Sequence, residues 1–228
     1  MQFFKMTKII GISAFYHDSA VCLIENAEIK FAAQEERFTR IKHDFNFPKL
    51  ALAELLKCNN LKIDSVDFIV FFEKPFLKFE RLVETYLGFA PYGFKQFLKS
   101  MPIWLNEKLF MKRTLCNHLK EFSKDFNERK ILFSEHHLSH AASAFFPSPF
   151  EKALILTADG VGEWTTTSVC IGNKNKIKFL KEIHFPNSIG LLYSAFTYYI
   201  GFKVNSGEYK LMGLAPYGKP RFADKIRK

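Results

Sequence analysis

The strongest constraint on how this chain folds is a pattern that occurs twice. Across residues 8–34, three short apolar runs alternate with polar turns: Ile9-Ile10-Gly11-Ile12, Ala20-Val21-Cys22-Leu23-Ile24 and Ile29-Lys30-Phe31-Ala32-Ala33. Short apolar runs bounded by turn residues read as strands joined by hairpins, the second of which turns at Glu25-Asn26-Ala27. Residues 153–158, 165–171 and 176–183 repeat the plan. Laying residues 20–31 over residues 168–179 brings Val21 onto Val169, Cys22 onto Cys170, Ile29 onto Ile177, Lys30 onto Lys178 and Phe31 onto Phe179. The expectation is a three-strand unit used twice, in two lobes facing across a cleft.

The segments between the copies complete the plan of the first lobe. Residues 47–58 read as a helix with Pro48 in its first turn. Residues 66–72 form an apolar run suited to the centre of a sheet covered on both faces. In residues 74–127, Phe and Leu recur three and four apart among Lys, Arg and Glu, the mark of amphipathic helices, so this stretch reads as a helical insertion between two strands. Residues 130–134 return to strand and lead into a helix that opens on His136-His137-Leu138-Ser139-His140. After the second three-strand copy, residues 189–200 are helical in pattern, residues 205–218 read as a glycine-rich connection, and a short basic helix begins after Pro220. The fold class is α/β, with mixed sheets flanked by helices. Residues 1–150 make the first lobe and residues 151–228 the beginning of a second, which stops before acquiring the helices and strands that complete the first.

Composition narrows the function classes. With 228 residues the chain can bury one large core or two small ones, and 48% hydrophobic with 25% charged residues excludes a disordered tail. The formal net charge of +10 is spread along the chain instead of forming a block, which argues against nucleic acid as the partner. Cys22, Cys58, Cys116 and Cys170 are widely separated and form no thiolate metal pair, as in a reduced cytoplasmic protein. No segment reaches the roughly 18 apolar residues of a spanning helix, and the N-terminal residues 1–8 lack a leader's apolar run, so neither membrane insertion nor secretion is expected.

Chemistry concentrates in five places. His136 and His140 stand one helical turn apart, so both rings can reach one ion, and a carboxylate as third ligand would leave positions open for substrate. Asp159, at the end of the strand formed by residues 153–158, suits that role. His137 diverges from the pair by about 100° and serves as the comparison residue. In Asp159-Gly160-Val161-Gly162-Glu163, Gly160 and Gly162 allow backbone amides to cradle an anion, although Asp-Gly also makes plain hairpin turns. The turn Ser13-Ala14-Phe15-Tyr16-His17-Asp18-Ser19-Ala20 holds the corresponding position in the first copy, where small and hydroxylated residues such as Ser19 suit a second phosphate contact, although a solvated turn explains them as well. Residues 34–44 are dense with charge after a strand end, either as an anion-holding group or as a solvated loop. Residues 206–218, with Gly213, combine glycine, lysine and tyrosine as nucleotide-binding loops do, and as many plain surface loops also do.

Together these segments resemble the N-terminal part of the carbamoyltransferase family that includes the nodulation and antibiotic O-carbamoyltransferases. The resemblance rests on Gly11-Ile12 through His17-Asp18-Ser19-Ala20, on Gln34-Glu35-Glu36-Arg37-Phe38 with Lys42-His43, and on His136-His137-Leu138-Ser139-His140-Ala141-Ala142-Ser143-Ala144. Asp159-Gly160-Val161-Gly162-Glu163 and Met212-Gly213-Leu214-Ala215-Pro216-Tyr217-Gly218 complete it in family order. It implies an actin-like fold of duplicated ribonuclease-H-like lobes. The implied activity is transfer of a carbamoyl group from carbamoyl-adenylate, made from carbamoyl phosphate and ATP by a second domain, to a hydroxyl of a small-molecule or sugar acceptor. By the same resemblance His136, His140 and Asp159 are ligands of a divalent metal, iron, with a fourth carboxylate from sequence beyond Lys228, while His17 and Lys42 contact the carbamoyl-adenylate. The isolated chain is then expected to be incomplete and inactive, complemented by a C-terminal portion or a separate chain. Two other readings stay open: a tRNA threonylcarbamoyl transferase-like protein, and a non-catalytic nucleotide-binding part of a split protein.

Overall fold

The computed structural model describes residues 7–105 and 109–227. Residues 1–6, most of the N-terminal stretch searched for a leader, lie outside these. The chain divides into two compact units, residues 1–139 and 140–228.

In the first unit the opening strands form as their alternation demands. β1 (Lys8–Ser13), β2 (Ala20–Glu25) and β3 (Glu28–Gln34) pair antiparallel, and Asn26 and Ala27 take positive φ at the tight turn between β2 and β3. After the short α1 (Glu36–Thr39), the chain crosses through α2 (Lys49–Cys58) to β4 (Phe68–Phe71), which lies parallel to β1, and β5 (Ile131–Phe133) adds in parallel beyond it. The order β3-β2-β1-β4-β5, three antiparallel strands extended by two parallel ones, is that of an actin-like, ribonuclease-H-like lobe. Its core takes Ile10, Ile12, Val21 and Leu23 from the hairpins, Leu52 and Leu55 from α2, and Ile69 and Phe71 from β4. The run at residues 66–72 does not bury both faces of its strand: Ile69 and Phe71 are fully buried while Phe68 is 40% exposed.

Among the described residues, the helical insertion holds α3 (Pro75–Phe89), α4 (Phe94–Ile103) and α5 (Met111–Lys120). These helices are not equivalent. α5 sends Leu115, Cys116 and Leu119 into the sheet core, whereas α3 buries only Pro75 and Arg81 and α4 only Met101. The last helix is therefore a structural layer of the lobe, and the first two are its surface.

The second unit repeats the hairpins. β6 (Lys152–Ala158), β7 (Thr165–Asn173) and β8 (Lys176–His184) form an antiparallel sheet in that order. The pairing beside the turn is equivalent in the two copies, Glu25 with Glu28 and Asn173 with Lys176, and each hairpin carries a register shift, between Leu23 and Ile24 in one and between Val169 and Cys170 in the other. α6 (His136–Phe145) begins in the first unit and ends in the second, where Ala141 and Phe145 pack with Ile155 and Cys170. α7 (Ile189–Tyr199) follows β8.

Residues 205–218 are not a glycine-rich connection. They contain α8 (Glu208–Leu214) and a 3-10 turn at Ala215–Tyr217, and α9 (Ala223–Arg227) follows. The run Glu208-Tyr209-Lys210-Leu211-Met212 has good helix propensity. The Glu208 carboxylate accepts from the Asn205 and Gly207 amides, at 2.9 and 3.1 Å, which satisfies donors ahead of the helix. Glycines at either end mask this in the sequence pattern. Among the described residues no helix is long and apolar enough to cross a membrane.

Candidate functional site

α6 starts where β4 ends, because its first turn is tied to that strand. The Ser134 amide donates to Phe71 O at 2.9 Å, and Ser139 Oγ lies 3.0 Å from both Phe72 O and Glu135 O. The Phe72 ring stands 5.5 Å from that of His136, whose Nδ1 is 3.9 Å from Glu73 Oε2. Glu73 is held in turn by Lys78, at 2.7 Å, and the Lys78 ammonium sits 5.4 Å from the centre of the Tyr16 ring. The Glu73 carboxylate thus stands behind His136 beyond hydrogen-bond distance, and through Lys78 it connects that neighbourhood to the β1–β2 loop. His137 points into the interior and is only 2% exposed. It diverges from the His136–His140 pair as helix geometry requires, but as a packed residue it is unsuited to be a silent comparison.

One turn along α6, His140 keeps half its side chain in solvent, with Nε2 3.9 Å from Asp159 Oδ2. Asp159 ends β6. Its amide bonds Thr166 O at 2.9 Å, its Oδ1 accepts from the Gly160 amide at 2.7 Å, and its Oδ2 is the oxygen nearer His140. The start of α7 closes over this turn: Ser188 Oγ donates to Gly160 O at 2.6 Å and caps the Leu191 amide at 3.0 Å. Gly190 packs so closely that a Cβ there would lie 2.4 Å from Asp159 O. On the other side, the Phe145 ring of α6 fills the space a Cβ on Gly172 would need, at 2.6 Å. Nothing in the spacing of residues 188–190 announces that they hold the Asp159 turn; an N-cap Ser two residues ahead of a Gly was the only signal.

The ligand atoms of His136, His140 and Asp159 lie within 4.8 Å of one another. The 3.9 Å between His140 Nε2 and Asp159 Oδ2 is too long for a hydrogen bond. It suits two donors each roughly 2.0–2.2 Å from a common ion. The two glycines of the turn are already engaged, Gly160 with Asp159 Oδ1 and Gly162 with Thr165 O at 2.9 Å. Gly213 lies in the last turn of α8, exposed, with nothing within 4 Å of a Cβ built on it.

The other candidates gather around the β1–β2 loop, which is zipped to residues 44–45 by bonds from the Phe15 amide to Phe45 O and from the Ser19 amide to Asp44 O, at 2.7 and 2.8 Å. Asp18 stands between two histidines, with His17 Nδ1 on Oδ2 and His43 Nδ1 on Oδ1, each at 2.9 Å. Burial opposes ionisation of Asp18, but these two imidazoles outweigh it and hold the carboxyl below the ordinary Asp range. The His43 amide donates to Glu36 Oε2 at 3.0 Å. Asp44, 3% exposed, accepts from the Asn46 amide and side chain, and the amide bond chiefly lowers its pKa. Ser19 is 1% exposed at the base of the loop, and Lys42, next to His43, is exposed.

Within the charged run at residues 34–44, Arg37, Arg40 and Lys42 are exposed, whereas Glu35 and Asp44 are buried. Glu35 is 3% exposed and accepts from the Leu50 and Ala51 amides, at 2.9 and 2.7 Å, capping α2 from outside the helix. Sequence reasoning did not single out Glu35, His43 or Glu73 for these roles, because each acts on a partner that is remote in sequence or set by a turn.

Residues 8–228 match the carbamoyltransferase N-terminus family. The chain belongs to this family. It is 57% identical over 223 residues to the uncharacterized protein sll1178 of Synechocystis, covering 97% of this chain and 36% of that protein. It is 33% identical over 211 residues to the nodulation protein NolNO of Sinorhizobium fredii, covering 91% of the chain and 29% of NolNO. The uncharacterized protein MJ1058 of Methanocaldococcus jannaschii is 32% identical over 264 residues, covering 94% of the chain and 43% of its own length. The chain thus spans about a third of the length of these relatives, 29–43% in the three named.

Proposed function

We propose that this chain supplies the N-terminal part of an O-carbamoyltransferase, which passes a carbamoyl group from carbamoyl-adenylate to a hydroxyl of a small-molecule or sugar acceptor. Family membership supports the reaction class, and the convergence of His136, His140 and Asp159 carries the assignment of the site. Two imidazole nitrogens and one carboxylate oxygen are a donor set for a divalent first-row ion, iron by the family resemblance, with positions left for substrate oxygens. When bound, such an ion supplies Lewis acidity toward the carbamoyl carbonyl or the adenylate phosphate.

The chain's own residues do the rest. His17 and Lys42 contact the carbamoyl-adenylate, Lys42 as an exposed cation toward phosphate and His17 from the loop that Tyr16 and Lys78 connect to Glu73 and His136. Ser19, Gly160, Gly162 and Gly213 are assigned to the nucleotide; the Gly160 and Gly162 amides, being engaged within their own turn, would shape the contact more than donate to it. In the transfer the acceptor oxygen bonds to the carbamoyl carbon, the bond from that carbon to the adenylate oxygen breaks, AMP leaves with the electron pair, and the hydroxyl proton passes to a base. Formation of carbamoyl-adenylate from carbamoyl phosphate and ATP is assigned to sequence outside residues 8–228. Location in the cytoplasm is part of the proposal.

Metal analysis of the purified chain tests the site directly. One ion per wild-type chain is expected, with loss in His136→Ala, His140→Ala and Asp159→Asn and retention in His184→Ala, whose imidazole is half-exposed at the end of β8. Metal retained after loss of either α6 histidine would sink the ligand assignment. Transfer of labelled carbamoyl from carbamoyl phosphate and ATP to hydroxyl acceptors, by this chain joined to the C-terminal sequence that its relatives carry, tests the reaction; no carbamoyl-dependent AMP release would overturn it.

A further inference from the structure

We infer that Asp18 is a positioning residue: one carboxylate bridging the Nδ1 atoms of His17 and His43, so that both imidazoles are held in a single tautomer with Nε2 as the acceptor each presents. The inference rests on the assignment of His17 to the carbamoyl-adenylate site made above.

An ionised carboxylate only accepts. Two neutral imidazoles placed on its two oxygens must each donate from Nδ1, and that leaves the Nε2 lone pair of each directed elsewhere. The backbone is arranged to deliver this geometry. Phe15, Asp18 and His43 all take left-handed φ, at 69°, 47° and 57°. Such conformations persist where the surroundings over-determine them. Here the Phe15–Phe45 and Ser19–Asp44 backbone bonds, the His43 amide on Glu36 and the Asp44–Asn46 turn supply that constraint.

Stability is a poor explanation for the arrangement. The side chains of His17, Asp18 and His43 are 51%, 33% and 40% exposed, and ion pairs at such exposure contribute little to folding. What the bridge does supply is orientation. A histidine whose Nδ1–H is fixed on a carboxylate keeps Nε2 as proton acceptor, as a hydroxyl-activating imidazole must. The same residues invite a competing reading, since one ligand atom each from Asp18, Glu36 and His43 lies within 4.8 Å of the others. Both Asp18 oxygens and Glu36 Oε2 already accept hydrogen bonds, however, so the group is satisfied by its own donors.

Histidine side-chain ¹⁵N–¹H correlation spectra of the chain, with His17→Gln and His43→Gln for assignment, provide the test. The wild type is expected to show His17 and His43 as Nδ1–H tautomers. Asp18→Asn, whose amide accepts on one side only, is expected to return at least one of them to a tautomer mixture, with His118 and His184 unmoved, and Asp18→Glu to restore the pattern in part. In the carbamoyl-transfer assay Asp18→Asn lowers kcat by about a hundredfold or more with KM within about threefold, as expected when an imidazole takes the wrong tautomer. Unchanged His17 and His43 tautomers in Asp18→Asn would overturn the inference, as would stoichiometric Zn²⁺ binding lost in Glu36→Gln. A wild type with the expected tautomers but no transfer activity would instead sink the proposed function and leave the bridge intact.

Discussion

Glu35 illustrates how much a single buried carboxylate decides. Its two oxygens satisfy amides in the first turn of α2 that otherwise have no partner, so Glu35→Ala leaves both orphaned near the core. A loss of about 2–4 kcal/mol in urea unfolding is expected, with Glu35→Gln recovering part of it. Glu208 plays a related part ahead of α8: burial raises its pKa, but bonds from the Asn205 and Gly207 amides and from Ser194 prevail and hold it below the ordinary value of 4.5. Because the folded carboxyl titrates below the unfolded one, its contribution is complete above that value and is lost as the pH falls through the folded value. Glu208→Gln is therefore expected to flatten the acid side of the second unit's stability profile, measured by thermal melts between pH 3 and 6; an unchanged profile would remove Glu208 from the account.

Helix α7 and strand β7 hold the proposed ligands by close approach, which glycine alone permits. Gly190→Ala would drive a methyl into the Asp159–Gly160 peptide, so the Asp159 turn must shift. The expected result is metal affinity reduced about tenfold to a hundredfold, read by competition with a chelator, while the circular dichroism of the chain is retained. Gly172→Ala acts on the other wall, forcing the Phe145 ring off β7, at a cost of roughly 1–3 kcal/mol in thermal unfolding. A Gly172→Ala chain as stable as the wild type would show that Phe145 has room to move. α5 and α2 were legible as helices from their periodicity, but only burial of Leu115 and Leu119 distinguishes α5 as a core layer from α3 and α4 beside it.

At the level of the molecule, a metal that binds the folded site and not the unfolded chain must stabilise it. A divalent ion at a hundredfold excess over its dissociation constant adds about 2.7 kcal/mol. A rise in Tm with ferrous or zinc ion is expected for the wild type and is absent in the His140→Ala, Asp159→Asn double variant. Sequence alone determined the duplicated three-strand hairpins, the order of the strands, and the candidacy of His136, His140 and Asp159, because alternation and helical periodicity are local properties of the chain. It erred at residues 208–214, where flanking glycines masked a helix, and at Phe68, where an apolar run does not reveal which face of a strand is covered. Tertiary structure alone decided that Glu35 caps α2, that Asp18 bridges His17 and His43, and that Gly190 holds the Asp159 turn. Each of those depends on residues brought together across turns and between elements, and distances through space are not encoded in the period of any one segment.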